Sequence, residues 1–355
     1  MSNRIKLLPL CISTALLLTA GSATAGYTIN TEDNSSITFG GYIQADFRYI
    51  DGNASSTLVN DDFWIGHAVK EDISTSRFHV DSSRFNTKYV KGDLMGFVEF
   101  DLFGGGGNEK LTNSRHPRLR HAFIKYGNWT IGQTWSTFIN TSALAEGVDF
   151  GGPLVASGFI RQTQVRYTNG GFQIALENPE SYAGFTGSAG YGTKDSMPDV
   201  IGKYTFKGDW GSVSVAGVVK QLNTVGDETE SGMGYGISGR IKTVGKDDFR
   251  FQVHGGNTGR YVGAAAATDL VGEEVEETTS VLVAYRHFWN DEFRSNLFYG
   301  NTTTEESDRD RTHWGVNVFK SVNKHLTYGF EVGNFEMAEQ DADSTYVQFS
   351  AKYAL

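Results

Sequence analysis

Apolar and polar residues alternate along most of this chain, beginning near Ile37. In the first segment one parity is apolar and the other polar: Ile43, Ala45, Phe47 and Tyr49 against Gln44, Asp46 and Arg48. The apolar parity recurs further on, for example at Val213, Val215 and Val219, at Val281, Val283 and Tyr285, and at Val347, Phe349 and Ala351. A period of two is typical of β-strands with one apolar face, so the pattern predicts an all-β chain.

The connections between these segments alternate in length. Short turns are expected at residues 91–93, 127–128, 169–171, 208–209, 290–291 and 322–324. Much longer connections lie between them, at residues 51–75, 104–117, 139–159, 179–197, 257–278 and 335–343. About sixteen segments of roughly ten residues, with long loops at one end and tight turns at the other, predict a 16-stranded antiparallel transmembrane β-barrel.

A soluble β-sandwich shows the same local alternation, so the period alone leaves that alternative open. Aromatic residues flank the apolar faces where a membrane barrel carries its interfacial girdles: Tyr167, Tyr204, Tyr285 and Trp289. A sandwich also rarely needs so many strands with strictly alternating loop lengths. The last apolar parity runs to Leu355, the terminal residue, as the closing strand of a barrel does. Together these features favour the barrel.

The N-terminal segment has the layout of a secretory signal peptide. Arg4 and Lys6 precede an apolar stretch that ends in the small-residue site Ala23-Thr24-Ala25. We therefore expect residues 1–25 to be a cleaved signal peptide and residues 26–355 to form a single barrel domain in the outer membrane of a Gram-negative bacterium. No later apolar run reaches the roughly 18 to 20 residues of a membrane helix. The only cysteine, Cys11, leaves with the signal peptide.

The formal charge of the chain is -10, which argues against a nucleic-acid partner. If the apolar parity faces lipid, the polar parity faces the pore, and basic residues fall on it regularly: Arg48, Lys203, Lys220, Arg240, Arg250, Arg286 and Arg294. Arg84, Arg118, Arg120 and Arg166 are expected to join them, although the parity of the strand from Leu119 to Tyr126 is ambiguous. The acids on this parity are fewer: Asp46, Glu99, Asp101, Glu177 and Glu331.

These basic residues allow two interpretations. The functional one is an electrostatic path that raises the local concentration of anions. The alternative is structural pairing with the lumen acids. Most of the remaining acids fall in the predicted external loops, at Asp227, Glu228, Glu230, Glu273, Glu274, Glu276, Glu277, Glu305, Glu306 and Asp308. We interpret these as a solvated surface, where divalent ions can bridge them to lipopolysaccharide and outer-membrane lipid.

The long segment from Ile139 to Phe159 follows the fifth predicted strand and contains Glu146 and Asp149. A barrel of this width encloses an open aqueous channel unless something narrows it. We expect this segment to fold inward as a constriction loop. Arg161 and Arg166 follow on the next strand and are expected to complete an eyelet, in which arginines hold the two ends of a dianion.

Signs of other chemistry are missing from the sequence. The eight histidines show no metal-ligand spacing, and neither a serine elbow nor a zinc-binding helix motif occurs. We therefore expect no enzyme, catalytic residues, metal or cofactor. Two alternatives remain: an outer-membrane barrel hydrolase, which needs a Ser, a His and an acid near one rim, and a structural or adhesive barrel with a lumen plugged by paired charges.

Several motifs in the first two thirds of the chain resemble one family. They are RLRHAF from Arg118, GQTWSTF from Gly132, DFGGP from Asp149, RQTQVRYT from Arg161 and PDVIGKY from Pro198. In this order they resemble the DcaP-like trimeric porins of the Gram-negative porin superfamily. The similarity is strongest between Arg84 and Gln221 and only general in the C-terminal half.

The resemblance implies a homotrimer of 16-stranded barrels that takes up dicarboxylates and related small anions. By this resemblance the family's basic pore motifs fall on Arg118, Arg120, Arg161 and Arg166, and the segment from Gly132 leads into the inward loop. Two departures are expected to matter. Too few residues precede the first strand for the coiled-coil extension of some members, and Leu355 replaces the usual terminal aromatic residue.

Overall fold

The fold is taken from a computed structural model, which describes residues 26–31, 33–54, 68–105, 108, 111–183, 194–224, 226, 228–262 and 266–355. The predicted signal peptide and Asp227 lie outside the described residues. Within them the strands are β1 Tyr27–Asn30, β2 Ser35–Gly52, β3 Ile73–His79, β4 Arg84–Lys91, β5 Leu94–Asp101, β6 Arg118–Tyr126, β7 Trp129–Trp135, β8 Arg161–Asn169, β9 Phe172–Glu177, β10 Asp199–Gly208, β11 Gly211–Asn223, β12 Thr229–Lys242, β13 Asp248–Gly256, β14 Leu270–Val271, β15 Glu274–Val275, β16 Thr278–Phe288, β17 Phe293–Thr304, β18 Asp310–Ser321, β19 Leu326–Met337 and β20 Ala342–Ala354. In the same described ranges, short 3-10 helices cover Thr141–Ala143 and Ala338–Gln340.

Neighbouring strands pair antiparallel around a closed barrel. The last strand, β20, pairs with β2 from Tyr42↔Ala354 to Gly52↔Ser344, which closes the sheet. Strands β3 and β4 pair in succession with the other edge of β2 and together form one barrel strand, interrupted at residues 80–83. The barrel therefore has 16 strands, as predicted. Closure leaves no unpaired edge in the membrane, where an unsatisfied backbone group is costly.

The short strand β1 supplements this closure. It pairs with the beginning of β2, from Tyr27↔Phe39 to Asn30↔Ser36. At this part of β2 the opposite edge is paired with β4. β1 therefore pairs with the same edge of β2 as β20, which pairs with its later residues. The amide of Leu355 donates to the carbonyl of Gly41 at 3.1 Å. The N-terminal and C-terminal segments thus share one edge of β2.

The alternation in sequence becomes an alternation of faces. On β11 to β13 the apolar side chains of Val215, Ile237 and Val253 are more than two fifths exposed, whereas Ser214 and Gln252 are buried. An outward apolar band is what the hydrocarbon core of a bilayer requires, and each square ångström of apolar surface kept from water is worth about 25 cal/mol. No helix among the described residues is long and apolar enough to cross a membrane.

Strand β6 contains the irregularity that made its parity ambiguous. The register between β5 and β6 shifts between Glu99↔His121 and Phe100↔Leu119, so Arg120 is an extra residue in a β-bulge. A bulge places two successive residues opposite one partner and re-aims a side chain. Arg118, Arg120 and His121 consequently all face inward, which a strict period of two does not allow.

The expectation that the acids of the external loops form a solvated surface is wrong for Glu276. Its side chain is fully buried. Its carboxylate accepts hydrogen bonds from the backbone N–H groups of Glu305, Glu306 and Ser307 at 2.8–3.1 Å, and from the Ser307 hydroxyl at 2.5 Å. A carboxylate can be buried when donors compensate its charge. Glu276 thus links two neighbouring loops.

Candidate functional site

A long segment between β7 and β8, residues 136–160, forms the inner loop. It begins where the amide of Ser136 donates to the carbonyl of Ile160 at 3.0 Å, and where Glu177 accepts the amide of Thr137 at 2.6 Å. The 3-10 helix that follows is capped by Asn140, whose side chain accepts from Ser142. These local bonds direct the chain away from β7 and towards the barrel axis.

Glu146 holds the middle of the inner loop against the opposite wall. Its carboxylate accepts from Arg294 Nη2 at 2.6 Å and from Arg286 Nη1 at 3.4 Å. Its backbone carbonyl accepts from the side-chain amides of Asn296 at 2.6 Å and Asn317 at 2.8 Å. The inner loop therefore lies against the lumen side of β16, β17 and β18.

The charge state of Glu146 follows from these partners. Burial by itself raises the pKa of the carboxyl, but the charge and hydrogen bonds of Arg294, followed by the charges of Arg286 and Arg250, outweigh it and lower the pKa below its usual value. Glu146 is therefore an ionised anchor at neutral pH, because nearby cations favour the charged form of a carboxyl group.

The tip of the inner loop reaches another part of the wall. Asp149 forms an ion pair with Arg48 of β2, which also donates to Gln348 at 2.8 and 3.0 Å. The ring of Phe150 stacks on Phe103 with centroids 4.4 Å apart. The guanidinium groups of Arg84 and Arg118 each lie 5.9 Å from the centroid of Phe150, close enough for a cation–π interaction.

Four arginines on β4, β6 and β8 form the first arginine group: Arg84, Arg118, Arg120 and Arg161. Asp101 accepts from Arg118 at 2.9 and 3.0 Å and from Arg120 at 2.8 Å, and Glu99 accepts from Arg120 at 2.9 Å. Arg84 and Arg161 have no carboxylate partner among the described residues. The guanidinium of Arg161 lies instead over the rings of Trp135 and Phe159, at 5.2 and 5.6 Å. This group thus contains four guanidinium groups but only two carboxylates, both of which are bound by Arg118 and Arg120.

The second arginine group lies on the strands that face the inner loop: Arg240, Arg250, Arg286 and Arg294. Asp248 pairs with Arg240 at 2.9 Å, Arg250 at 2.7 Å and Arg286 at 2.5 Å, while Glu146 pairs with Arg286 and Arg294. Here four guanidinium groups share two carboxylates. The arrangement keeps a positive excess on this wall while satisfying most of its donors.

A cavity lies between the inner loop and the wall. Four basic side chains line it: Arg84, Arg250, Arg294 and Lys352. The ammonium of Lys352 lies 3.9 Å from the centroid of the Tyr42 ring, and Arg84 lies 5.4 Å from the same centroid. Neither cation has a carboxylate partner in the described parts of the chain. Sequence reasoning did not select Lys352, although the polar parity of the last strand contains it.

Arg166 and Lys203 lie apart from this cavity. Arg166 donates to the backbone carbonyl of Trp135 at 3.3 Å, and Lys203 donates to that of Ile139 at 2.8 Å. Lys203 therefore holds the beginning of the inner loop, and Arg166 holds the last residue of β7, directly before it. The structure thus brings Arg84, Arg250 and Arg294 together around the cavity, and it places Arg166 at the base of the loop.

This arrangement is suited to attracting anions, since fixed cations and aromatic rings line a water-accessible space. Among the described residues, no group of three or more His, Cys, Asp or Glu side chains is placed to hold a metal ion. Asp149 and Glu146 contribute the negative charge of the inner loop, and both are engaged with arginines.

Comparison with solved structures shows the same barrel in outer-membrane proteins. The outer membrane channel DcaP of Acinetobacter baumannii matches with a TM-score of 0.78 and 21% identity, over 92% of this chain and 99% of that one. An anion-selective porin from Comamonas acidovorans matches with a TM-score of 0.59 and 14% identity, over 90% and 100% of the two chains. The trimer form of OmpT from Vibrio cholerae gives 0.56 and 16%, over 90% and 99%.

No curated protein matches the chain. The family model described as DcaP outer membrane protein, however, matches residues 22–327, which is most of the sequence. The chain belongs to the DcaP outer membrane protein family, and its barrel lies in the outer membrane of a Gram-negative bacterium.

Proposed function

We propose that this protein is a passive diffusion channel that prefers small anions, dicarboxylates in particular. The observation that carries the proposal is the positive charge around the lumen cavity, above all at Arg84 and Lys352, which form no ion pair with a carboxylate among the described residues. Walls of low dielectric constant focus such a charge and raise the local concentration of counter-ions.

The inner loop narrows the path in this proposal. The loop lies against β16 to β18 and reaches Arg48 of β2, and the cavity beside it is the passage that we propose. A channel must bind a solute weakly enough to release it. Millimolar capture needs only about 4 kcal/mol, which two or three charge-assisted hydrogen bonds of about 1.5 to 3 kcal/mol each can supply.

A dicarboxylate matches this passage better than a monoanion. Arg84 and Lys352 lie on β4 and β20, whereas Arg250 and Arg294 lie on β13 and β17. Basic side chains on separate strands can hold the two ends of a dianion at once. The DcaP family membership and the positive excess in both arginine groups support this assignment.

The assembly and surroundings belong to the same proposal. We propose a homotrimer without catalytic activity, embedded in outer-membrane lipid and lipopolysaccharide and exported with a signal peptide cleaved after Ala25. Arg118 and Arg120 fit the structural alternative, because both are paired with Asp101. Arg84 and Lys352 distinguish the two interpretations.

The test is a planar-bilayer recording of the purified protein in a salt gradient. The reversal potential should show that anions are preferred. In the double variant Arg84→Gln/Lys352→Gln the reversal potential should indicate a weaker preference for anions over cations. Lys246→Gln, at an exposed lysine, should leave the reversal potential unchanged. A cation preference in the natural protein, or an unchanged potential in the double variant, contradicts the proposal.

A further inference from the structure

The connection between β13 and β16 forms a second loop that is packed inside the barrel. Its described residues are 257–262 and 266–277. Asn257, Tyr261 and Asp269 are completely shielded from solvent. The side-chain amide of Asn257 donates to the backbone carbonyls of Asp269 and Glu276, both at 2.8 Å. The second loop is therefore a compact element that its own residues hold together.

The second loop lies between the barrel wall and the inner loop. One buried apolar cluster joins it to the lumen faces of β10 and β11 and to the inner loop. The cluster contains Phe138, Ile139, Ile201, Ala216, Val218, Tyr261 and Val262. The ring centroids of Tyr261 and Phe138 are 5.3 Å apart. Because close-packed side chains leave no room for water, the second loop fills this part of the lumen.

Two acids and two bases tie the second loop to the wall. The Tyr261 hydroxyl donates to Asp199 of β10 at 2.5 Å, and Arg260 pairs with the same carboxylate at 3.2 Å. Asp269 of the loop pairs with Lys220 of β11 at 2.7 Å and accepts the backbone amide of Arg260 at 2.9 Å. The four charges sum to zero, which suits a contact that is buried from water.

The second loop also holds the end of the inner loop. The backbone amide of Phe159 donates to the backbone carbonyl of Tyr261 at 3.3 Å, and Gly158 and Val262 form an antiparallel β-bridge. Phe159 lines the lumen cavity. Tyr261 thus binds the wall at Asp199 through its side chain and the lining of the cavity through its backbone.

We propose that the second loop is a further constricting element of the pore and that Tyr261 is its positioning residue. The inference rests on the proposed channel function but not on the anion preference. The tyrosine hydroxyl fixes the second loop to β10, and the backbone of the same residue fixes Phe159 at the edge of the passage. Loss of the hydroxyl weakens this connection, and loss of the whole side chain should let Phe159 move and the passage widen.

Two substitutions separate the contributions of the hydroxyl and the ring. Tyr261→Phe keeps the ring against Phe138 and loses the hydrogen bond to Asp199. Amide exchange at Phe159, measured by NMR in detergent, should accelerate about tenfold, which corresponds to about 1.4 kcal/mol. Tyr261→Ala also removes the ring and leaves a cavity in the apolar cluster. It should accelerate this exchange further and widen the pore.

Single-channel recordings of the purified protein measure the width of the pore. Neutral polyethylene glycols that enter a pore lower its conductance, and those that are too large to enter do not. In Tyr261→Ala this size limit should rise, together with the conductance in the absence of polymer. Asp199→Asn keeps an acceptor for the Tyr261 hydroxyl, so it should keep the size limit and the slow exchange at Phe159. Heat-modifiability on gels confirms that each variant folds.

Tyr285→Ala is the matched control. The Tyr285 hydroxyl also donates to a carboxylate, that of Asp247 at 3.0 Å, but the side chain lies on the exposed outer face of β16. This variant should keep the size limit of the natural protein. An unchanged size limit in Tyr261→Ala, or unchanged exchange at Phe159 in Tyr261→Phe, overturns the inference while leaving the channel function intact. Absence of any channel from the natural protein overturns the proposed function itself.

Discussion

Arg294 donates from Nε and Nη2 to the two carboxylate oxygens of Glu146, at distances of 2.6–3.1 Å. The two residues join a wall strand to the middle of the inner loop. Arg286 reaches the same carboxylate from the neighbouring strand. Because a fork of parallel hydrogen bonds fixes both distance and orientation, this pair determines how far the inner loop stands from the wall.

Glu146→Gln should therefore change both conductance and selectivity. The amide cannot neutralise Arg286 and Arg294, so the lumen gains one positive charge and the loop loses its ionic anchor. Water in the lumen can solvate the released arginines, and the barrel should still fold. Bilayer recordings should show a larger conductance and a stronger anion preference. Glu228→Gln, in an exposed loop, is the control and should match the natural protein; equal behaviour of the two variants would refute the anchor.

Glu276→Gln should destabilise the loop that contains residues 305–307. Three backbone amides and one hydroxyl converge on the carboxylate, and a hydrogen bond to a charged group contributes about 1.5 to 3 kcal/mol. Amide exchange at residues 305–307 should accelerate at least tenfold, which corresponds to about 1.4 kcal/mol. Glu277→Gln, at the exposed next residue, should leave exchange at these amides unchanged. Unchanged exchange in the Glu276 variant would contradict the structural role.

Lys220 and Asp269 form a buried ion pair at 2.7 Å, with both side chains inaccessible to solvent. Lys220→Met leaves Asp269 as an uncompensated buried charge, which costs about 3 to 5 kcal/mol. The temperature at which half of the protein shifts from the folded to the unfolded mobility on gels, the midpoint of heat modification, should fall clearly. The double variant Lys220→Met/Asp269→Leu should recover most of the loss. Lys246→Met breaks an exposed pair with Asp291 and should not move the midpoint. A midpoint equal to that of the natural protein in Lys220→Met would show that the pair is not stabilising.

The strand pattern was predictable because a barrel wall imposes one rule on every residue. Because lipid lies outside the barrel and water inside it, apolar and polar residues alternate along each strand. The short and long connections then separate the strands, so that they can be counted. The rule fails at Arg120, where a bulge adds a residue that no hydrophobic period shows. It also says nothing of loops. The inner loop was predicted from its length and position, but not the residues that bind it.

The partners of the inner loop depend on contacts between residues far apart in sequence. Glu146 and Arg294 are 148 residues apart, and no local pattern in the sequence indicates that they are in contact. Glu276 is a similar case, because a loop acid in a sequence is usually solvated. Lys352 had a detectable signal, since the polar parity of the last strand contains it. Arg166 also lies on the polar parity of its strand, but its guanidinium donates to the backbone carbonyl of Trp135 and does not line the cavity.

The last prediction concerns the solute and the residues that hold it. A small dicarboxylate added to one side of the bilayer should produce brief current blockades, because Arg84 and Lys352 can engage one carboxylate and Arg250 and Arg294 the other. Arg84→Ala should shorten these blockades. Arg166→Ala should leave their duration unchanged, since Arg166 lies at the base of the inner loop and not at the cavity. Raising the salt from about 0.1 M to about 1 M shortens the screening length from about 10 Å to about 3 Å, so the blockades should weaken.

A neutral sugar of similar size should cause no blockades. Equal passage of the sugar and the dicarboxylate, or equal blockades in the Arg84 variant and the natural protein, would mean that the lumen arginines only balance the lumen acids.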